Sequence, residues 1–220
     1  MIDIKNLSSC IDHTLLKPDV VERDIKKLCE EACRHQFYGV CVNGCWIAAA
    51  HEILKGSQVK VVSVVGFPLG AMSQESKVAE TGIAIRDGAD EIDFVANIGR
   101  LKQGDREYLL REFKNEVRAA QGRPVKVIIE TCLLSMEEKV LACRLAVDAG
   151  VHFVKTSTGF SGAGATVADV RLMREIVGPD IGVKASGGIR DLETAVAMME
   201  AGASRLGTSA SVAIIQGDKE

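Results

Sequence analysis

The chain alternates short apolar runs with longer segments in which apolar residues recur at helical spacing. Short aliphatic runs between turn residues predict buried strands, and the longer periodic segments predict amphipathic helices. The predicted strands are Cys10–Leu16, Tyr38–Val42, Val59–Val65, Glu91–Ile98, Val125–Thr131, Phe153–Thr158, Gly182–Ser186 and Arg205–Thr208. The predicted helices cover about residues 21–35, 44–55, 72–88, 105–121, 136–149, 166–177 and 190–201.

Helix-ending signals recur at the same joint of this pattern. Gly88, Gly150 and Gly202 each follow a helical segment and precede a new apolar run, as glycines at helix C-termini do. Ser135 lies three residues before Glu138, which is the spacing of a capping box. Eight strands alternating with helices predict an α/β fold, a single-domain (β/α)8 barrel (TIM barrel) over residues 1–220. An open doubly wound sheet remains the alternative, although the first βα loop has no GxGxxG motif.

Composition and charge narrow the functional classes. The 220 residues have a formal net charge of −3 and no basic run, which argues against nucleic-acid binding. No uncharged apolar stretch approaches the ~18 residues of a membrane-spanning helix. Residues 1–5 lack the basic and apolar regions of a signal peptide. We therefore expect a cytoplasmic protein with no nucleic-acid or membrane partner.

The cysteines indicate free thiols in a reducing compartment, because they are odd in number and dispersed through apolar segments. Cys29 and Cys33 lie four residues apart, which is the spacing of helix neighbours, and no CxxC pair accompanies them. No metal site is predicted. Cys41, near the end of the second predicted strand, is either a buried thiol or one accessible to aldehydes.

Two lysines occupy matching places in consecutive βα units. Lys155 and Lys184 each end a buried apolar run and open into a glycine-bearing loop. An unpaired ammonium group costs several kcal/mol to bury, so the pair requires an explanation. A lysine held beside another cation in a desolvated pocket loses its proton more easily and becomes a nucleophile toward carbonyl compounds. The alternative for each lysine alone is a surface side chain that extends into water.

Side-chain parity brings a carboxylate to the same place. Side chains alternate along a strand, so Glu91, Asp93, Val95 and Asn97 share one face of the fourth predicted strand. In a barrel, the carboxyl ends of the strands carry the active site. We therefore expect Asp93 to converge with the two lysines on one cavity, with the ammonium nitrogens closer than ~10 Å.

The two lysines and Asp93 suggest three separate catalytic roles. One lysine attacks a carbonyl and forms an imine, while the other, protonated, orients charge. Free lysine titrates near ~10.4, and a neighbouring positive charge with burial is expected to shift the attacking amine toward ~7–8. The carboxylate, through water, transfers the protons of carbinolamine dehydration.

The loops after the last three strands indicate an anionic ligand. Residues 157–164, 186–190 and 207–211 are rich in glycine, serine and threonine. Glycine lets backbone N–H groups approach an anion, and barrel enzymes often bind phosphate at these loops. Tight turns that need glycine are the alternative. Asp12 and Thr14, which close the first strand, suggest a pocket hydrogen-bond network, with a turn-forming aspartate as the alternative.

These residues resemble the deoxyribose-phosphate aldolases, a family of class I aldolases. The similarity runs in order along nearly the whole chain, and the segments around Lys155 and Lys184 are specific to the family. The matching segments are residues 12–17, 65–70, 91–99, 126–131, 153–160 and 183–190.

The resemblance implies a reaction and a site. Lys155 would form the Schiff base, Lys184 would perturb it, and Asp93 would transfer protons. The reaction would be reversible cleavage of 2-deoxy-D-ribose 5-phosphate into D-glyceraldehyde 3-phosphate and acetaldehyde, without a cofactor or metal. The substrate and phosphate group would be held by Asp12, Thr14, Thr158, Gly159, Gly187, Gly188 and Ser209.

Family members tend to be homodimers, which is the expectation for this chain. Some members also end in a tyrosine that aids proton transfer, whereas this chain ends in Gly217-Asp218-Lys219-Glu220. Two rival functions stay open. One is a sugar-phosphate isomerase that uses Asp93 as a base without an imine, and the other is a non-catalytic barrel that binds a phosphorylated metabolite.

Overall fold

Eight parallel strands close into a barrel in the computed structural model, which describes residues 7–217. Each strand pairs with the next one along the chain, and the first pairs with the last, which confirms the predicted (β/α)8 barrel. The strands are Ile11–Leu15 (β1), Gly39–Val42 (β2), Lys60–Val65 (β3), Glu91–Val95 (β4), Val125–Ile128 (β5), Phe153–Lys155 (β6), Gly182–Ser186 (β7) and Arg205–Thr208 (β8).

Helices follow the strands and surround the barrel. They are Glu22–His35 (α1), Ile47–Ile53 (α2), Gln74–Arg86 (α3), Ile98–Lys102 (α4), Arg106–Ala119 (α5), Met136–Ala149 (α6), Val167–Val177 (α7), Leu192–Glu200 (α8) and Ser211–Gln216 (α9). The pattern of apolar residues predicted all of these except α4 and α9. Those two helices have 5 and 6 residues, too few to show a helical period.

The helix signals operate as predicted. The Ser135 hydroxyl accepts a hydrogen bond from the Glu138 N–H, and the Glu138 carboxylate accepts one from the Ser135 N–H at 2.7 Å. This capping box begins α6, and Gly150 ends the helix in the left-handed region with φ of 75°. Gly88 also has a positive φ, and a Cβ there would lie 2.5 Å from the His51 ring, so only glycine fits this joint.

Three strands end three residues before their predicted ends. The fourth ends at Val95 rather than Ile98, because the Asn97 side chain accepts the Arg100 N–H at 3.1 Å and begins α4. Asn97 therefore does not share the inner strand face with Asp93. The fifth and sixth strands end at Ile128 and Lys155, and the apolar pattern continued past them because the first loop residues are also buried.

The outer and inner surfaces of the barrel sheet carry different kinds of side chains. The main hydrophobic core packs between the strands and the helices and contains, for example, Val40, Val61 and Ile92. The interior holds charged side chains together with a smaller apolar cluster of Leu16, Cys41, Val62 and Val64. Cys41 is fully buried, and burial raises the pKa of its thiol. The buried alternative is therefore the correct one for this cysteine.

No helix within residues 7–217 is both long and apolar enough to cross a lipid bilayer.

A buried ion pair fastens two helices to the end of β4. The Lys77 ammonium group on α3 donates to the Glu112 carboxylate on α5 at 2.8 Å and to the Val95 carbonyl at 2.7 Å. The second Glu112 oxygen accepts the Asn97 N–H at 3.0 Å. Burial raises the pKa of Glu112 even with Lys77 beside it.

Lys77→Met should lower the free energy of unfolding by about 3–5 kcal/mol, because it leaves a buried carboxylate without its cation. The pKa of Glu112 would then rise further, and a carboxyl whose folded-state pKa is raised stabilises the fold less as the pH increases. Urea unfolding should therefore show a larger loss at pH 8 than at pH 5. Lys26→Met, at an exposed lysine, is the control; equal losses for both variants would contradict the account.

Candidate active site

The buried carboxylate of Asp93 lies at the centre of the barrel. Asp93 on β4 has no exposed surface. Its Oδ2 accepts hydrogen bonds from Lys155 Nζ at 2.8 Å and from Lys184 Nζ at 2.7 Å, while its Oδ1 accepts one from Lys126 Nζ at 2.8 Å. The three side chains that parity assigned to one cavity therefore meet. Because both predicted lysines share one oxygen, their nitrogens lie well within the expected ~10 Å.

Strand register explains why these side chains meet. Lys155 on β6 is paired with Lys184 on β7, and Asp93 on β4 is paired with Lys126 on β5. Paired residues point to the same face of the sheet, and this face is the inside of the barrel. Four side chains from four strands thus reach one layer of the interior.

Only one of the two predicted lysines reaches the open space above this layer. Lys155 lines a cavity of about 380 Å³ at the carboxyl ends of the strands. Lys184 is fully buried behind it, where its ammonium group hydrogen-bonds the carboxylates of Asp12 and Asp93. A ligand in the cavity can therefore meet the Lys155 nitrogen directly, whereas Lys184 acts from behind.

Neighbouring charges determine the ionisation states of Asp93 and Lys184. Burial alone would raise the pKa of Asp93, but the ammonium groups of Lys126, Lys155 and Lys184 outweigh it and hold that pKa well below its usual range. Burial would lower the pKa of Lys184, but the carboxylates of Asp12 and Asp93 outweigh it and raise that pKa. At neutral pH Asp93 is a carboxylate and Lys184 is a cation.

Lys126 is the third lysine in contact with Asp93, and the sequence analysis missed its place in the cluster. Its ammonium group also contacts Glu91 Oε2 at 2.5 Å, and the pKa of Lys126 is raised, since Asp93 and Glu91 outweigh its burial. The signal was available, because Lys126 interrupts the apolar fifth strand in phase with its inner face.

Of Asp12 and Thr14, which were both expected in the pocket, Thr14 lines the cavity and Asp12 does not. Thr14 lines the cavity, and its hydroxyl donates to the Asp12 carbonyl at 2.8 Å. The Asp12 carboxylate is fully buried below the cavity, where it pairs with Lys184 and with Arg205 at 3.0 Å. Lys184 and Arg205 hold the pKa of Asp12 below its usual value against the opposing effect of burial. Its position suits orientation of Lys184 rather than contact with a ligand.

The predicted glycine loops form one wall of the cavity, which includes Thr158, Gly159, Gly187, Gly188 and Ser209. Two of these loops touch each other. A Cβ at Gly164 would lie 2.1 Å from the Gly187 carbonyl oxygen, so only glycine permits this approach. The Ala165 N–H donates to the same oxygen at 3.0 Å.

Glu130 is a second residue that the sequence analysis missed. It is buried, has a left-handed backbone with φ of 54°, and accepts hydrogen bonds from the N–H and the hydroxyl of Thr158. It therefore fixes the start of the loop after β6. The backbone conformation gives no sequence signal, since the preceding run reads as a continuing strand.

The cavity mouth combines apolar and basic groups. Phe160 lines the cavity and packs edge-on against Phe67, with ring centroids 5.2 Å apart. Lys17 and Arg190 also line it and add positive charge near the glycine loops. Residues 218–220, which stand where some aldolases have a terminal tyrosine, lie outside the described residues.

Fold and site together define a class of protein. An amine that opens on a cavity, a buried carboxylate and a second ammonium group lie at the carboxyl ends of the strands of a (β/α)8 barrel, which is where barrel enzymes hold their active sites. The arrangement is that of an enzyme acting on a carbonyl compound.

Comparison with known proteins specifies the class. Residues 8–217 match the sequence model of the DeoC/LacD family aldolases. The chain is 60% identical to the deoxyribose-phosphate aldolase of Alkaliphilus oremlandii (strain OhILAs), over 98% of this chain and 97% of that protein.

Solved structures agree. The aldolase QR15 superposes with a TM-score of 0.92 at 41% identity, covering 98% of this chain and 96% of that one. A tetrameric deoxyribose phosphate aldolase from Aeropyrum pernix superposes with a TM-score of 0.91 at 34% identity, covering 97% and 91%. The chain therefore belongs to the DeoC/LacD aldolase family. It is an aldolase, a lyase that cleaves carbon–carbon bonds, as the sequence resemblance implied.

The buried carboxylates predict loss of stability in acid. The pKa values of Asp12, Glu91 and Asp93 are all lowered by neighbouring cations against the effect of burial. A carboxylate with a depressed folded-state pKa stabilises the fold above its unfolded pKa of about 4, and this contribution is lost as the pH falls below that value.

Asp12→Asn should therefore lower the free energy of unfolding at pH 7 by about 3–5 kcal/mol and flatten its decline below about pH 4. Urea unfolding between pH 7 and pH 3 measures both. Asp180→Asn, at an exposed loop aspartate, is the control. A wild-type stability that stays constant down to pH 3 would refute the assignment of charge.

Proposed function

We propose that this aldolase catalyses reversible cleavage of 2-deoxy-D-ribose 5-phosphate into D-glyceraldehyde 3-phosphate and acetaldehyde through an imine on Lys155. The observation that carries the proposal is that Lys155 is the lysine of the buried cluster that lines the cavity. The name of the Alkaliphilus oremlandii relative supports the choice of substrate.

Imine formation begins with the Lys155 amine. It attacks the aldehyde carbon C1 of the open-chain sugar, and the resulting carbinolamine loses water to give a protonated imine. Asp93 Oδ2, which contacts the Lys155 nitrogen at 2.8 Å, stabilises the positive imine. The protons of dehydration pass between Lys155, Asp93 and a water molecule in the cavity.

Carbon–carbon cleavage follows from the electron demand of the imine. A water molecule in the cavity accepts the proton of the C3 hydroxyl, and the C2–C3 bond breaks. The bond electrons move to the nitrogen, which leaves an enamine on Lys155 and releases D-glyceraldehyde 3-phosphate. Protonation of C2 and hydrolysis of the new imine release acetaldehyde and restore the amine.

The role of Asp93 is mainly electrostatic in this proposal. Three ammonium groups hold its pKa well below its usual range, so at neutral pH it is a weak proton acceptor. This favours an anion that orients Lys155 and Lys184 and passes protons only transiently. It also argues against the isomerase alternative, in which a free Asp93 base would have to abstract a proton from carbon. Membership of an aldolase family argues against the non-catalytic alternative.

The glycine-rich wall suits the phosphate group. Gly159, Gly187 and Gly188 line the cavity and have positive φ angles, and without side chains they leave their backbone open to close approach by an anion. Ser209 adds an exposed hydroxyl, and Arg190 adds a positive charge. In this proposal Thr158 supports the glycine-rich wall through its bond to Glu130, since the Thr158 N–H is already used in that bond.

Cytoplasmic location and assembly as a homodimer remain predictions. The Aeropyrum pernix relative is a tetramer, so the quaternary structure of this chain is a separate measurement, for example by light scattering.

Borohydride added with acetaldehyde should leave a reduced adduct on Lys155, found by peptide mass spectrometry. Lys155→Ala should abolish both the adduct and turnover. Lys184→Leu should lower kcat by about 10²–10³-fold, because it removes a fixed cation beside the reacting nitrogen. It also leaves two buried carboxylates short of a partner, so kinetics must be measured below its unfolding temperature. A wild-type digest without the adduct would refute the mechanism.

Gly164→Ala should raise the KM for deoxyribose 5-phosphate at least about tenfold, because its Cβ displaces the Gly187 carbonyl and with it the phosphate wall. The kcat should change less, since Lys155 lies on the strand below. Gly162→Ala is the matched control in the same loop, where a Cβ meets nothing within 4 Å. The same KM change in both variants would count against the phosphate assignment.

A further inference from the structure

Two charged side chains reach the reacting residues from the bottom of the barrel, although neither lines the cavity. Arg205, on β8, donates through Nη1 to Asp12 Oδ1 at 3.0 Å and to Glu91 Oε2 at 3.1 Å. Both Arg205 and Glu91 are buried. Tyr38 holds them in place, since its hydroxyl donates to Glu91 at 2.6 Å and the guanidinium group stacks 3.3 Å from its ring centroid.

The ionic contacts close into a ring. In order around it, the ring joins Arg205, Asp12, Lys184, Asp93, Lys126 and Glu91, and Glu91 returns to Arg205. Cations and carboxylates alternate, three of each, so the ring has no net charge. Such a closed, alternating arrangement satisfies every member, which is the condition under which buried charges are tolerated.

Lys155 is attached to this ring from outside. It contacts Asp93 Oδ2, which Lys184 already shares. With Lys155 as an ammonium group the seven side chains have one net positive charge, and with Lys155 as a free amine they have none. The ring therefore sets the charge around Lys155, the amine that is proposed to attack the substrate.

We propose that Arg205 and Glu91 are positioning residues of the aldolase reaction, which act through Asp12, Lys184, Lys126 and Asp93 to set the pH at which Lys155 attacks a carbonyl. The inference rests on the proposed function, since it takes Lys155 as the attacking amine. Neither residue touches the substrate. Their effect is electrostatic and is transmitted by fixed ion pairs.

Other groups surround Lys155, and the test must separate their effects from that of the ring. Within residues 7–217, the strands direct charged or titratable groups of β1, β2, β4, β5, β7 and β8 into the interior. Strand β3 contributes Val62 and Val64, and Lys60, in phase with them, is exposed at its start. Outside the ring, Lys17 and Arg190 line the cavity together with Lys155, and Cys41 lies in the interior close enough to interact with its charge. Tyr38 contacts Glu91 and Arg205, and Glu130 binds Thr158 in the cavity wall.

Opposite charge changes at the two positions give the sharpest test. Arg205→Met gives the ring a net negative charge, which should hold the proton on Lys155. The acid limb of the pH profile of kcat/KM should therefore move to higher pH. Glu91→Gln makes the ring positive, which should move that limb to lower pH. Each shift should be about 1 pH unit, the effect of a unit charge about 10 Å away at an effective dielectric constant of about 20. The pH dependence of borohydride trapping should shift in the same way.

Two further variants distinguish charge from structure. Arg205→Lys keeps the charge and should keep the limb near its wild-type position. The double variant Arg205→Met/Glu91→Gln restores a neutral ring and should largely cancel the two shifts. Asp169→Asn is the matched control, because it removes a carboxylate from an ion pair with Lys139 on the helices outside the barrel. It should leave the limb unchanged.

Shifts in the same direction, or no shift in either single variant, would overturn the proposal. If Arg205→Met does not fold, Glu91→Gln decides alone. A shift of its acid limb to lower pH would support the role of the ring, and an unchanged limb would refute it. Failure of the proposed function looks different, since the wild type itself would then give no Lys155 adduct. Adducts in every variant with one common pH profile would refute only the role of the ring.

Discussion

The contact of one buried carboxylate with three ammonium groups is the interaction on which the rest of this site depends. Asp93 binds Lys126, Lys155 and Lys184 within 2.8 Å, in a place without exposed surface. Remove that carboxylate and three cations would face one another in a space of low dielectric constant, where their repulsion is strong. The chemistry proposed for Lys155 therefore requires Asp93 first as a structural anion and only then as a participant in proton transfer.

A closed parallel barrel makes this arrangement possible. The closed sheet directs alternate side chains of every strand inward, so side chains from distant parts of the sequence meet in the interior. The apolar core that stabilises the fold lies outside the strands, against the helices. The interior can therefore hold ion pairs that fix geometry and are costly to break, with the reacting amine directed toward the open end.

The sequence predicted the barrel and three central residues because both depend on local patterns. Lysines at the ends of apolar runs, and Asp93 in phase with them, are visible one strand at a time. Lys126 and Arg205 were missed as members of the cluster because their partners, Glu91 and Asp12, come from other strands. Asp12 was expected in the ligand pocket but lies beneath the pocket. Its partners, Lys184 and Arg205, are also on other strands and could not be identified from the first strand alone. Glu130 depends on a left-handed backbone that no local signal marks.

A crystal structure of the protein after reduction of its acetaldehyde imine would test the central claim most directly. The account predicts a two-carbon adduct covalently attached to Lys155 Nζ, with Asp93 still between that nitrogen and Lys184. It also predicts that Lys184 and Lys126 remain unmodified behind it. Density for the adduct on another lysine, or an Asp93 side chain turned away from the modified nitrogen, would contradict the account.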